Sequence, residues 1–226
     1  MEKLAKDYYA KSHQIWTDDP VPESGLLDEE KESLESCQFS RGKALILFGG
    51  AGREAIALAQ AGAWCISLDN QWVMVEKGKN AARKLDLPVK FIMASVFDLP
   101  FSDAVFNFSL AFARMYSTIP TRRKRIEFLN GVRRILQPGG VFVYDFYLKE
   151  LPFRQKKVYR IRHWIAALIR GNVEGQMGDG MWNTSLFCHA FKNRSEVISE
   201  AEEAGFIVSK VKVYGEIGYA ILRKKI

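Results

Sequence analysis

Short apolar runs and amphipathic stretches alternate along most of this chain. Lys43–Phe48, Trp64–Leu68, Val89–Met93, Ala104–Ala111 and Val141–Phe146 are brief runs rich in β-branched and aromatic residues, and each reads as a strand. Between them, residues 52–62, 71–85 and 121–136 read as helices, with Gly62 stopping the first. Unbroken apolar runs, rather than strict alternation, suit strands covered on both faces. The order strand–helix–strand therefore predicts an α/β fold with a mostly parallel sheet and helices on both faces. Toward the end, a helix over 193–204 closed by Gly205 leads into strands over 206–214 and 217–223. Their two-residue link, Gly215-Glu216, predicts an antiparallel hairpin and brings the sheet to seven strands.

The flanking segments have a different texture. Residues 3–16 and 26–37 read as helices, separated by a proline- and glycine-bearing loop over 18–25. Residues 151–170 place Val158, Ile161, Trp164, Ile165 and Leu168 at helical spacing among Arg154, Lys156, Lys157, Arg160, Arg162 and Arg170, with no acid. The expected organisation is an N-terminal helical cap over 1–40, a main domain over 41–226, and a substrate lid inserted at 148–190.

Composition narrows the class. The chain has 226 residues, 48% of them hydrophobic and 26% charged, which suits one domain with a full core and excludes general disorder. No apolar run reaches the ~18 residues of a membrane-spanning helix, and the polar start with Glu2, Lys3, Lys6 and Asp7 is no secretory signal. Cys37, Cys65 and Cys188 are far apart, and neither they nor His13, His163 and His189 show metal-ligand spacing. No metal is expected, and reduced thiols in a cytoplasm fit this usage. Net charge is +7, but residues 1–36 carry four lysines against ten acids, which leaves +13 on the rest. That asymmetry admits an anionic small substrate, an anionic membrane surface or a nucleic acid, as well as a merely solvated basic face.

The strongest local feature is Phe48-Gly49-Gly50-Ala51-Gly52-Arg53-Glu54-Ala55, where a strand runs into glycines that open a helix. Glycines let a ligand lie against the backbone, and the helix start offers free N–H groups. Asp69, at the end of the next strand, can accept hydrogen bonds from both hydroxyls of a ribose. The alternatives are a tight turn for the glycines and a helix N-cap for Asp69. Gly50–Ala55 also fits the dinucleotide fingerprint of nicotinamide oxidoreductases.

Later residues separate the two. Phe97-Asp98-Leu99-Pro100-Phe101, then Asp103-Ala104-Val105-Phe106-Asn107, then Arg133–Gly140 with its Gln137-Pro138-Gly139-Gly140 turn, then His189-Ala190-Phe191 and Glu203–Phe206 follow in order. With the glycine loop, this series resembles the class I S-adenosylmethionine-dependent methyltransferases, small-molecule type, over roughly residues 40–224. The resemblance implies a Rossmann-like sheet and S-adenosyl-L-methionine as cofactor. It implies that Phe48, Gly49, Gly50 and Gly52 line the methionine and ribose side, with Asp69 on the ribose hydroxyls. Asn70 and Met74 would flank ribose or adenine, Ser95, Val96 and Phe97 would pack around adenine, and Ala111 and Phe112 would face the reacting centre. The chain departs from the family pattern at Phe48 (first motif glycine), Ile46 and Ser95 (acidic positions) and Asn107 (Asp). These departures keep a non-catalytic partner protein of the same fold among the alternatives.

For the acceptor side, Arg114, Met115 and Tyr116 follow the fourth strand and His189 lies in the late segment; Arg114, Tyr116 and His189 are the catalytic candidates. His189 is the one histidine considered as a base, against a structural histidine. Tyr8, Tyr9 and Trp16 belong to the cap, and Asp145 and Tyr147 are added by position alone. The expected activity is methyl transfer to a small, anionic metabolite or natural-product acceptor under a basic lid. A lipid acceptor, with peripheral membrane contact through 151–170, comes second, and RNA third. A homodimer is also open, and a nucleic-acid partner is not expected.

Overall fold

The computed structural model describes residues 25–39, 42–149, 178–182 and 186–226. The cap residues Tyr8, Tyr9 and Trp16 and the basic segment 151–170 lie outside them. The first described helix, α1 (Asp28–Ser36), leads to β1 (Lys43–Leu47), α2 (Arg53–Gln60), β2 (Trp64–Asp69), α3 (Trp72–Lys84) and β3 (Lys90–Met93). Then come β4 (Phe106–Ala111), a 3₁₀ turn (Met115–Thr118), α4 (Arg122–Ile135), β5 (Leu136–Leu148), β6 (Asp179–Trp182), β7 (Leu186–Phe191), α5 (Arg194–Glu203), β8 (Phe206–Tyr214) and β9 (Ile217–Lys224).

Four consecutive residues of β1, Ala44 to Leu47, are at most 1% exposed because both faces of the sheet are covered. Leu45 and Leu47 point into the core under α4 and α5, where Phe128, Leu129, Val132 and Ile135 form the buried stripe of α4. Ala44 and Ile46 point the other way, onto α1 and α2. The parallel strands run in the order β3-β2-β1-β4-β5. β9 pairs antiparallel with β5, and β8 pairs with β9 through the Gly215 turn. The seven-stranded mostly parallel frame and the terminal hairpin are therefore as expected.

Two further strands extend it. β5 outlasts β4, and Tyr147 and Leu148 pair in parallel with Ala190 and Phe191 of β7. Because β9 occupies the other edge of β5 as far as Tyr147, β7 sits on the β4 side, beyond the end of β4. β6 and β7 form an antiparallel hairpin inside the segment expected as a lid.

The later motifs have a mechanical basis. Arg134, at the end of α4, donates to the carbonyls of Phe101 and Leu99 (2.6 and 2.9 Å) and to Asp103 (2.9 Å). It thereby clamps the turn that carries the acid–Leu–Pro–Phe residues. Asn107 accepts from the Lys43 N–H (3.0 Å) and donates to Gln137 Oε1 (2.9 Å), tying together the starts of β1, β4 and β5. An Asp could not donate there. Asn107 thus stands at the end of the sheet opposite the glycine loop, and Ile46 is a core residue whose Cγ2 would lie 3.3 Å from a Cβ at Gly49.

Candidate active site

The carboxyl ends of β1 and β4 are neighbours whose chains leave in opposite directions, the place where open α/β sheets bind ligands. The loop after β1 is built there from left-handed residues: Phe48 (φ 55°), Gly50 (φ 50°) and Gly52 (φ 88°). Gly49 fits because its neighbour leaves no room: a Cβ would lie 2.1 Å from Ser67 Oγ. Gly50 is the reverse case, since a Cβ there meets nothing within 4 Å and the backbone faces open space. Phe48, the substituted glycine, turns its ring into the α4-side core, with its centroid 5.7 Å from that of Phe128.

Asp69 ends β2 beside this loop. Its Oδ2 accepts from the Gly50 N–H and its Oδ1 from the Gln71 N–H, both at 2.9 Å. Burial pushes its carboxyl upward, against the lowering pull of those N–H groups. Each oxygen keeps a second lone pair for a ligand hydroxyl. Asn70 is exposed and accepts from Gln71 Nε2, and Met74 is half-buried in the first turns of α3. After β3, Ser95 Oγ accepts from the Phe97 N–H (3.2 Å), which fixes the turn. Val96 is buried, and half-buried Phe97 lies 5.0 Å from Lys124 Nζ. The loops after β1, β2 and β3 thus share one edge. Ala111 is fully buried in the core.

The catalytic candidates separate. Tyr116 is fully buried, with its ring stacked on Phe191 and its hydroxyl donating to Glu200 (2.9 Å). Glu200 is also held by the Arg125 guanidinium at 2.6 to 3.2 Å. Tyr116 is therefore a structural residue joining the 3₁₀ turn to α5. His189 is likewise fully buried, with Nδ1 2.7 Å from Asp179 Oδ1 across the β6–β7 hairpin and its ring edge-on to Phe191. Its burial and the Asp179 contact agree with a structural histidine, while Nε2, 4.0 Å from Glu196 Oε1, has no hydrogen-bond partner among the described residues.

Arg114 does stand at a cleft, walled by Phe112, Ile217 and Tyr219 and floored by Glu29 and Asp145. Its backbone N–H donates to Asp145 Oδ1 (2.6 Å), and its guanidinium reaches Glu29 (3.0 Å). Burial pushes the Asp145 carboxyl up to about 7, with the acids Glu30 and Glu54 adding to it and Arg114 opposing. Beside the cleft, Arg53 grips Glu30 through two bonds (2.7 and 2.6 Å) and Glu54 (2.6 Å). Burial works against the Arg53 charge, but the two carboxylates outweigh it and raise its affinity for the proton. Sequence reasoning missed Glu29, Glu30 and Glu54. The one signal was the acid-rich helix 26–37, whose reach to the site depends on packing far along the chain.

Residues 45–140 match the model of a protein family described as a methyltransferase domain. An uncharacterised methyltransferase of Synechocystis is 30% identical over 111 residues, 48% of this chain and 49% of that protein, so the match spans about half of its length. A SAM-dependent methyltransferase from Methanosarcina mazei has the same fold at a TM-score of 0.67 and 18% identity, covering 89% of this chain and 99% of that one. The CcbJ methyltransferase of Streptomyces caelestis gives 0.69 and 13%, covering 95% and 96%. At such identities the structures speak for the fold. Together with the family model and the relative, they bear out the resemblance to class I S-adenosylmethionine-dependent methyltransferases.

Proposed function

We propose that this chain binds S-adenosyl-L-methionine at the loop between β1 and α2 and directs methyl transfer to a small-molecule acceptor in the cleft beside it. The observation that carries the reading is the pairing of the open backbone at Gly50 with the Asp69 carboxylate on the neighbouring strand. The residues fit the group: Gly50 leaves room for a ligand against the backbone, Phe48 keeps its ring in the core, and Asp69 retains acceptor capacity. When bound, the cofactor supplies an already activated methyl on a sulfonium. The protein's part is then to hold the acceptor in line, and to take its proton where it arrives protonated. Asp69 would hold the ribose, Ser95 and Phe97 the adenine side, and Phe112 and Arg114 the acceptor side. A cytoplasmic setting belongs to the same proposal and is supported by the unpaired thiols of Cys37, Cys65 and Cys188.

Titration calorimetry with S-adenosylhomocysteine, with NAD as control, tests the reading. The expected result is micromolar binding that Asp69→Ala weakens about tenfold or more through the lost charge-assisted bonds. NAD binding in its place would move the assignment to a nicotinamide oxidoreductase. Binding of neither by folded protein would favour a non-catalytic partner protein.

A further inference from the structure

The cleft beside the glycine loop has room for about one water between Phe112, Arg114, Asp145 and Tyr219. A larger ligand reaches it only if one wall moves. Three walls are fixed by backbone: Phe112 follows β4, while Asp145 and Tyr219 face each other in the β5–β9 ladder. The fourth wall is the front of α1, with Glu29 and Glu30, and α1 belongs to no ladder. Side chains hold that front in place. Arg114 takes Glu29 at 3.0 Å, and Arg53 takes Glu30 at 2.6 and 2.7 Å and the Gly25 carbonyl at 2.9 Å. The rear of α1 is fastened separately, since Leu34 and Cys37 are buried and Glu32 accepts from Lys212, Tyr214 and Tyr219.

The catches on the front belong to one ionic group. Two guanidinium groups, Arg53 and Arg114, stand among four carboxyls, Glu29, Glu30, Glu54 and Asp145. Glu30, Glu54 and Asp145 are at most 8% exposed. Ionising all four would set four negative charges against two positive ones where water barely reaches, which is costly. Asp145 is where the shortage of partners shows. Its Oδ1 takes the Arg114 N–H (2.6 Å), while its Oδ2 is 3.8 Å from Arg114 Nε and has no hydrogen-bond partner among the described residues. Burial accordingly pushes Asp145 up to about 7 and raises Glu54 as well.

We propose that the front of α1 is a proton-held gate over this cleft, shut while the ionic group keeps a shared proton and released when it gives that proton up. Swinging the front away puts Glu29 and Glu30 in water and lets water reach Asp145, so the open form ionises at lower pH. The shut form therefore binds the proton more tightly. Acid favours it, and opening grows as pH rises until Asp145 is ionised in both forms. The titratable and charged groups facing Asp145 are Arg114 on the loop after β4, Tyr147 on its own strand, Glu29 and Glu30 on α1, Arg53 and Glu54 on α2, and Tyr214 and Tyr219 on the terminal hairpin. The hinge lies between Glu30 and Glu32, where the two sets of catches part. The gate goes beyond the methyl-transfer reading and does not rest on it, since it involves no bound ligand.

Hydroxyl-radical footprinting of the whole protein across this pH range tests the gate. Phe112, 3% exposed at the wall facing the α1 acids, reports its opening, and the fully buried Phe128 and Phe142 report loosening of the whole core. The expected result is Phe112 oxidation that rises about tenfold per pH unit between about pH 5 and 6.5 and levels off above about pH 7, for one proton released. Phe128 and Phe142 should stay unlabelled throughout. Asp145→Asn keeps an acceptor for the Arg114 N–H and cannot ionise, so its Phe112 should be about as protected at pH 8 as that of the native protein at pH 5. Should that variant fail to fold, Glu54→Gln removes one carboxylate from the same group and should flatten the rise in its place. The proposal is overturned by a flat Phe112 profile in the native protein, by a rise that Phe128 and Phe142 share, or by a folded variant whose profile is as steep as the native one. Calorimetry with S-adenosylhomocysteine on the same sample decides the methyl-transfer reading separately, whichever way the gate falls.

Discussion

Phe48 shows how a residue that breaks a motif can keep its geometry. The backbone at this position is left-handed, which costs a bulky residue about 1–2 kcal/mol. Its half-buried ring returns more than that by packing against Phe128, since a buried aromatic contributes up to about 3–5 kcal/mol. Phe48→Gly should therefore relieve the strain yet lower stability by about 1 kcal/mol, read by urea denaturation. It should leave S-adenosylhomocysteine affinity within about threefold, because the ring is not the surface that the ligand meets. A large gain in affinity would show instead that the ring obstructs the site. Asp145 makes the second residue-scale prediction. Its carboxyl is held at about 7 in the fold against an ordinary value of 3.8. The folded state therefore binds more protons than the unfolded chain between those two values, and stability falls as pH rises through that window. The loss is on the order of 2–4 kcal/mol, complete above pH 7 and absent below about pH 4. Thermal unfolding of Asp145→Asn, which keeps an acceptor for the Arg114 N–H, should be flatter between pH 5 and 8 than that of the native protein. Equal slopes would place the titration elsewhere.

At the scale of elements, α4, α5 and the 3₁₀ turn are joined by Arg125, Glu200 and Tyr116, all fully buried. Removing one partner leaves the other charge buried and uncompensated, so Glu200→Gln should cost about 3–5 kcal/mol in chemical denaturation. A cost below about 1 kcal/mol would mean that the helices dock without the pair. The strands, the helices and the terminal hairpin were legible in the sequence because each is a local pattern of spacing and punctuation. The β6–β7 hairpin was not, since β7 is placed by its pairing with the overhanging end of β5, a partner some 40 residues earlier. The same division holds for the site. Gly49, Gly50, Gly52 and Asp69 could be read from one strand–loop–helix unit. The cleft acids come from α1, α2 and β5 and meet through packing alone. Tyr116 and His189 show the converse. Their types suit catalysis, and only the fold shows that Glu200 and Asp179 already engage them.

For the whole molecule, the relation between α1 and the C-terminal hairpin decides where a ligand can go. Glu32 on α1 accepts from Lys212 and Tyr219 (2.6 and 3.0 Å) and from Tyr214. Glu30, two residues earlier and on the other side of α1, is locked to Arg53 of α2. The acidic helix is therefore fastened both to the glycine-loop side and to the sheet's far edge, and its acids form one bank of the cleft. The central strand β5 has a consequence of another kind. One edge of Val141–Tyr147 is covered only by β9, and β9 is made some 70 residues later. At about 5–20 residues per second on the ribosome, an apolar strand waits several seconds for its neighbour. During that interval its open edge is a template for pairing with other nascent chains. The yield of this protein should thus depend on translation speed and on chaperone cover through that interval more than on the stability of the finished sheet.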